Sequence, residues 1–287
     1  MTFTTRFAPS PTGPLHLGHA YSALLASDMA RAGEGRFLLR IEDIDSSRAR
    51  PEWEDGIYDD LAWLGLTWET PVMRQSERIP AYRAALTRLW ALGLLYPCSC
   101  SRRDIVAAAE APQEGVPPAF GPDGLIYPGT CRQIPNPASP LPNAVLRLNM
   151  ARALRSLPDP LVFTETGASP VGETGQITLP HAMLLSDVGD IILARAEMGA
   201  SYHLSVVIDD AAQAVTLVPR GQDLFTATYI HVVLQKLLGL PTPTYHHHSL
   251  IRDETGKRLA KRDDARAIRL YRDEGKTPAD IRAMVGL

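Results

Sequence analysis

Two histidines three residues apart, His16 and His19, follow a stretch where chain breakers crowd together, Pro9-Ser10-Pro11-Thr12-Gly13-Pro14. Residues at that spacing share a helical face, and apolar residues recur at helical intervals from Leu17 to Arg31. The pair therefore stands at a helix N-terminus, where unpaired amides and the positive end of the dipole attract phosphate. Each imidazole has a proton to donate to phosphate oxygens, and Gly18 between them leaves room for a flat purine against the backbone. Taken alone, a His-x-x-His tetrapeptide equally describes a surface pair or half a metal site. A second cluster far downstream, Gly256-Lys257-Arg258-Leu259-Ala260-Lys261-Arg262, places four cations in six positions. Such a run is in other settings a solvated charged loop. A lysine loop entered through glycine also suits a phosphorus centre that needs positive charge as pyrophosphate departs. Together the two clusters read as two halves of one nucleotide-phosphate site.

Three cysteines offer a different chemistry. Cys98 and Cys100 are two residues apart and Cys131 follows after Tyr127-Pro-Gly-Thr. An odd count is no disulfide framework. The N-terminus carries no basic, apolar, small-residue signature of secretion, so a reducing cytoplasm is expected. Three thiolates and one further donor suit a closed, structural, tetrahedral zinc, and buried reduced cysteines are the alternative. His246-His247-His248 is a rival metal cluster that reads more simply as packed or solvated imidazoles.

The elements that must position these groups alternate. Thr4 to Ala8 reads as a strand, Leu17 to Arg31 as a helix closed by Gly33 and Gly35, and Arg36 to Ile41 as a second strand. A strand, helix and strand in so short a span predict a βαβ unit and a parallel sheet. Helical patterns resume at Glu52 to Leu64 and Ile79 to Leu94. Nine prolines from Pro112 to Pro142 exclude a long regular helix there. Regular patterning returns at Ala144 to Leu148, strand-like runs alternate with turns from Ile191 to Val218, and Tyr229 to Leu238 reads as a helix. The fold class expected is α/β, a Rossmann-type parallel sheet split by an insertion. Residues 1–97 form the first half, 98–185 the insertion with its metal site, 186–250 the second half, and 251–287 the lysine loop and short helices. Apolar runs such as Leu89 to Tyr96 are far too short to cross a bilayer. A net charge of −3 argues against an indiscriminate nucleic-acid binder. The last thirty-seven residues are locally basic, so RNA would follow a path around Lys257 to Arg272 with salt-sensitive affinity.

His16-Leu-Gly-His19 and Lys257-Arg-Leu-Ala-Lys261 together resemble the HIGH and KMSKS signatures of class I aminoacyl-tRNA synthetases. Ala260 departs from the serine usual there and removes a hydroxyl that would touch phosphate. Arg6-Phe-Ala-Pro-Ser10-Pro-Thr-Gly, Arg40-Ile-Glu42-Asp-Ile-Asp45, Leu61-Ala-Trp-Leu-Gly-Leu-Thr-Trp68, Tyr202-His-Leu-Ser-Val-Val-Ile-Asp-Asp210 and Val218-Pro-Arg220-Gly-Gln-Asp223 resemble the glutamate-specific branch. The resemblance implies that His16, His19 and Lys261 act in catalysis and that His16, Gly18, His19, Lys257 and Lys261 contact ATP. It implies Arg6 and Arg220 as clamps for the side-chain carboxylate of L-glutamate, with Tyr202 supplying a hydroxyl. Glu42 would take the α-ammonium, and Ala8 and Ser10 would line the pocket. Arginine suits this because its planar fork grips a carboxylate with two parallel bonds.

The Cys98-x-Cys100…Tyr127-x-x-x-Cys131 pattern resembles the zinc site of the glutamyl-queuosine tRNA(Asp) synthetases, which implies Cys98, Cys100, Tyr127 and Cys131 as ligands of one structural Zn2+. Only twenty-six residues follow Lys261, enough for two short helices, Ala265 to Glu274 and Pro278 to Val285, and no anticodon-binding domain is expected. That resemblance implies activation of glutamate with ATP and Mg2+, without tRNA, and transfer to the queuosine base of tRNA(Asp). No membrane or protein partner is implied. Three alternatives stay open: a short glutamyl-tRNA synthetase charging the 3′ end, a small-molecule nucleotidyltransferase with the same histidine helix, and a catalytically silent RNA-binding relative.

Overall fold

Residues Thr4–Phe7 form strand β1 and Arg36–Ile41 form β2, paired parallel with Thr4 opposite Arg36 and Phe7 opposite Leu39. The crossover that a parallel pair requires is α1 (Leu17–Ala32). The computed structural model describes residues 2–110, 119–132, 139–196, 199–251 and 266–287. The expected βαβ unit is present, each boundary within one residue of the sequence reading. Strand β3 (Met73–Arg74) adds parallel to β2. Helices α2 (Pro51–Trp63) and α3 (Ile79–Ala91) both start with proline in the first turn, where a missing N–H costs nothing.

The chain then runs through β4 (Leu95–Pro97), α4 (Arg102–Glu110) and a hairpin of β5 (Phe120–Gly121) and β6 (Gly124–Leu125). Strand β7 (Leu146–Leu148) pairs antiparallel with β4 and is followed by α5 (Met150–Leu154). Next come β8 (Leu161–Glu165), β9 (Gly175–Leu179), α6 (His181–Met183) and β10 (Ile192–Ala194), the last antiparallel to β7. Helix α7 (Tyr202–Ala212), β11 (Leu217–Gly221), α8 (Ala227–Leu238) and β12 (Thr244–His248) lead to α9 (Ile268–Asp273) and α10 (Pro278–Val285).

Two sheets carry the site. One has the order β1-β2-β3, the other β11-β12-β8-β9, with β11, β12 and β8 parallel and β9 antiparallel. They meet where the Thr4 amide donates to Thr216 Oγ1 at 2.8 Å and the Thr216 amide donates to Thr4 O at 2.9 Å. Strands β8 and β9 lie inside the segment 98–185 yet belong to this second sheet.

Residues 202–212 correct the sequence reading, which placed strand-like runs and turns there. The run Val206-Val207-Ile208 favours a strand by propensity, but Ser201 Oγ caps the helix by accepting from the Leu204 amide at 3.4 Å. Leu204, Ser205, Val206, Val207, Asp209 and Asp210 are all buried. A helix covered on most sides shows no apolar stripe, so its period is invisible in sequence.

One core cluster joins α3, α7, α8 and the strands of the second half, with Tyr82, Leu204, Ile230 and Val233 fully enclosed. A second lies between α1, β1, β2 and α2 and is completed by Ile268, Ile281 and Val285 from α9 and α10. The C-terminal helices thus brace α1, helped by Arg282, which grips Asp28 at 2.7 and 2.9 Å.

Candidate active site

Strands β1, β2 and β11 end at a common edge, the carboxyl ends where open parallel sheets bind ligands. A cavity of about 250 Å³ opens there, lined by Arg6, His16, Gly18, His19, Glu42, Tyr202 and Arg220 among others. A neighbouring chamber of about 420 Å³ shares Ala8, His19, Glu42 and Tyr202 and adds Ser10, Asp45 and Arg48. Every described residue singled out for ATP or glutamate therefore lines one or both of these chambers. Lys257 and Lys261 lie outside the described residues.

His16 is the N-cap of α1. Its Nδ1 accepts from the Gly18 amide at 3.1 Å, while His19 Nδ1 accepts from the His16 amide at 3.2 Å. The two rings face each other with centroids 3.8 Å apart. Two of the amides expected to meet phosphate are thus consumed by the histidines themselves. With Nδ1 accepting, each neutral ring carries its proton on Nε2, and the donors for phosphate become imidazole N–H groups.

Arg6, on β1, is held by Asp210, with Nε to Oδ1 at 3.2 Å and Nη2 to Oδ2 at 3.4 Å. Arg40, on β2, reaches the same Asp210 Oδ1 at 2.7 Å and Glu42 Oε1 at 3.1 Å. All four side chains are buried. Burial alone would push Asp210 up, but the charges of Arg6 and Arg40 and their hydrogen bonds outweigh it and hold the carboxyl below its ordinary value. For Glu42 burial wins over Arg40 and Arg6, and its value is raised. A cation arriving beside Glu42 would oppose that shift and favour the carboxylate. Burial likewise pushes the Tyr202 phenol up, so it stays a neutral hydroxyl donor.

Arg220, on β11, has all three nitrogens engaged. Nε donates to His247 Nε2 at 3.0 Å, Nη1 meets His231 Nδ1 at 3.2 Å, and Nη2 donates to Thr228 Oγ1 at 2.6 Å. His247 in turn sets its Nδ1 2.5 Å from Glu165 Oε2, and its amide donates to Glu165 Oε1 at 2.8 Å. Gly167 permits this approach, since a Cβ there would stand 2.2 Å from His247 O. Sequence reasoning assigned no role to Asp210, Arg40, His231, His247 or Glu165. Arg40 and Asp210 stood inside the quoted motifs, which was the available signal. His246-His247-His248 lie on β12, and the middle ring packs beneath Arg220 rather than joining a metal cluster.

In the insertion, the Sγ atoms of Cys98, Cys100 and Cys131 lie within 4.8 Å of one another, the one such cluster among the described residues. Tyr127 Oη is 3.5 Å from Cys98 Sγ and 3.3 Å from Cys100 Sγ. Ligand atoms around tetrahedral zinc stand roughly 3.8 Å apart for zinc–sulfur bonds of about 2.3 Å, so the donor set fits with little rearrangement. The Tyr127 hydroxyl lowers the Cys131 thiol to about 6, within reach of the thiolate a metal needs. Burial pushes the Tyr127 phenol up, so its oxygen would coordinate only as a cation displaced its proton. Arg147 stacks on the Tyr127 ring at 3.9 Å.

A split parallel sheet with a histidine-capped helix and an arginine-lined pocket defines a class I aminoacyl-tRNA synthetase catalytic domain. The family model for tRNA synthetases class I (E and Q), catalytic domain, matches residues 2–126 and 173–287. The glutamyl-Q tRNA(Asp) synthetase of Rhodobacter capsulatus is 61% identical over 287 residues, 99% of either chain. That of Geobacter sulfurreducens is 42% identical over 270 residues, 93% of this chain and 78% of its own. The chain belongs to the glutamyl-Q tRNA(Asp) synthetases of this class I family.

Among solved structures, glutamate-tRNA synthetase from Elizabethkingia anophelis superposes with a TM-score of 0.77 at 26% identity. The match covers 99% of this chain, which spans 61% of that enzyme's length. A methionyl-tRNA synthetase of Mycobacterium tuberculosis, 12% identical, shares the fold with a TM-score of 0.61. No helix among the described residues is long and apolar enough to cross a membrane.

Proposed function

We propose that the chain activates L-glutamate with ATP and transfers it to the queuosine base of tRNA(Asp). The observation that carries this reading is the single pocket in which Arg6, Arg220, Glu42 and Tyr202 meet His16, Gly18 and His19. The glutamate side chain lies between Arg6 and Arg220, its ammonium on Glu42. An α-carboxylate oxygen attacks the α-phosphorus of ATP, the bond to the β-phosphate bridging oxygen breaks, and pyrophosphate leaves. The nucleophile is already ionised, so no general base is needed. The protein's part is positioning and charge neutralisation by His16, His19 and Lys261, with Mg2+ held largely through phosphates and water. A hydroxyl of the modified base then attacks the activated carbonyl, its proton passes to solvent, and AMP leaves. Cys98, Cys100, Cys131 and the Tyr127 oxygen would hold a structural Zn2+, which would supply a cross-link to an insertion with little core of its own.

The test is transfer of labelled glutamate to tRNA(Asp) with and without queuosine, followed by nuclease digestion. Label on the anticodon fragment of the queuosine-bearing tRNA alone is the expected result. Label on the 3′ adenosine would make the chain a short charging synthetase. Glutamate-dependent pyrophosphate exchange in the absence of tRNA is expected, and its absence with no charging would leave the silent RNA-binding reading.

A further inference from the structure

Asp123 stands at the tip of the β5–β6 hairpin, in the insertion and outside the pocket described above. Its Oδ1 lies 3.5 Å from His203 Nε2. On the other side of that ring, His203 Nδ1 lies 3.2 Å from His231 Nε2, and His231 Nδ1 lies 3.2 Å from Arg220 Nη1. An unbroken line of contacts thus joins the tip of the hairpin to Arg220. Both imidazoles are buried, His203 on α7 and His231 on α8.

The direction of each contact in this line follows from its two ends. Arg220 has only donors, so His231 Nδ1 accepts. Burial, reinforced by the charge of Arg220, holds His231 well below its ordinary value and therefore neutral. A neutral ring that accepts at Nδ1 carries its proton on Nε2, and it donates that proton to His203 Nδ1. His203 is left to present Nε2–H to the Asp123 carboxylate. A cation at one end and an anion at the other favour the same pair of tautomers, and dipoles aligned along such a chain strengthen one another.

We propose that Asp123, His203 and His231 act as positioning residues that orient the Arg220 guanidinium, so that the seating of the inserted hairpin sets the grip on the amino-acid side chain. This rests on Arg220 being a clamp for the glutamate carboxylate. Nη1 has a partner in His231, while Nε and Nη2 are fixed by His247 and Thr228. Without the Asp123 carboxylate, only the Arg220 end still favours these tautomers, and the two rings lose the anion that seats them from the hairpin side. The Nη1 side of the guanidinium then loosens while Nε and Nη2 stay held, and a misplacement on the order of 1 Å in such a group costs up to roughly 100-fold.

The experiment is glutamate-dependent ATP–pyrophosphate exchange by the full chain carrying Asp123→Ala, His231→Gln, His231→Leu or Arg220→Lys. Asp123→Ala is expected to raise KM for glutamate about 5- to 20-fold while KM for ATP and kcat stay within about twofold. His231→Gln keeps one acceptor and one donor and is expected to bind glutamate at least about fivefold better than His231→Leu. If Arg220→Lys raises the glutamate KM strongly but Asp123→Ala does not, the positioning role is overturned and the clamp stands. If Arg220→Lys itself leaves the glutamate KM unchanged, the underlying reading of the pocket fails instead. Nitrogen NMR of the wild-type imidazoles gives an answer independent of variant folding: both rings protonated at Nε2 support the line, and either ring protonated at Nδ1 refutes it.

Discussion

Arg6 meets Asp210 edge on, with two nitrogens on two oxygens at 3.2 and 3.4 Å across 204 residues of sequence. Asp210 also holds Arg40, so one buried carboxylate orients the cations of both β1 and β2. Asp210→Asn withdraws the carboxylate from buried Arg6 and leaves Arg40 with Glu42 as its carboxylate partner. Breaking a buried pair from one side costs about 3–5 kcal/mol. The variant is expected to unfold at markedly lower denaturant concentration and to lose affinity for glutamate more than for ATP. Unchanged stability and glutamate KM would show that Arg6 needs no support from Asp210.

The metal proposal makes a separate prediction. Cys131→Ser is expected to lower zinc content, measured by atomic absorption on the purified chain, from about one per chain to below about 0.2. Chelation of the wild type should loosen the hairpin and residues 119–132 before the parallel sheets, visible as selective loss of amide-exchange protection. Full zinc content in the serine variant would remove Cys131 from the ligand set.

Asp60 gives a pH dependence with a definite sign. It is buried on α2, and that burial, together with nearby Asp59 and against Arg269 and Arg272, raises its value to about 6. In the unfolded chain an aspartate titrates near about 3.9. The folded state therefore holds the proton more tightly, and this contribution is complete below about pH 4 and is lost as pH rises to about 6. Asp60→Asn keeps a neutral group at every pH. It is expected to be more stable than the wild type at pH 7 by at most about 3 kcal/mol, a gain that vanishes near pH 4. Urea unfolding at both pH values checks this, and a gain of equal size at both would refute it.

Lys261→Ala is expected to reduce glutamate-dependent exchange by at least about 100-fold, because a cation is withdrawn from the departing pyrophosphate. Circular dichroism should be unchanged. Retained exchange would return the lysine run to a solvated charged loop.

The parts of this site that sequence made legible are local ones. His16 and His19 declare themselves by spacing after a strand and a breaker-rich turn, and the cysteine trio by its clustering. The supports of Arg220 were not legible. Thr228 and His231 lie on α8, His247 on β12 and Glu165 on β8, and the pairing of β12 with β11 and β8 together with the packing of α8 brings them together. In one dimension the triple histidine offers a rival metal cluster but reads more simply as packed or solvated imidazoles. On a strand its members alternate sides, so the middle ring alone goes under the arginine. Helix α7 was hidden for the opposite reason, being buried on too many faces to show a period.

Arg6 and Arg220 stand on strands of different sheets, β1 and β11, which meet at the paired threonines Thr4 and Thr216. The spacing of the two guanidiniums consequently depends on a joint as well as on the partners that hold each side chain. A larger or smaller residue at Thr4 or Thr216 would reset that gauge without touching the pocket. Discrimination between amino acids whose carboxylates differ by one methylene would then be tuned from a seam at the other end of the strands.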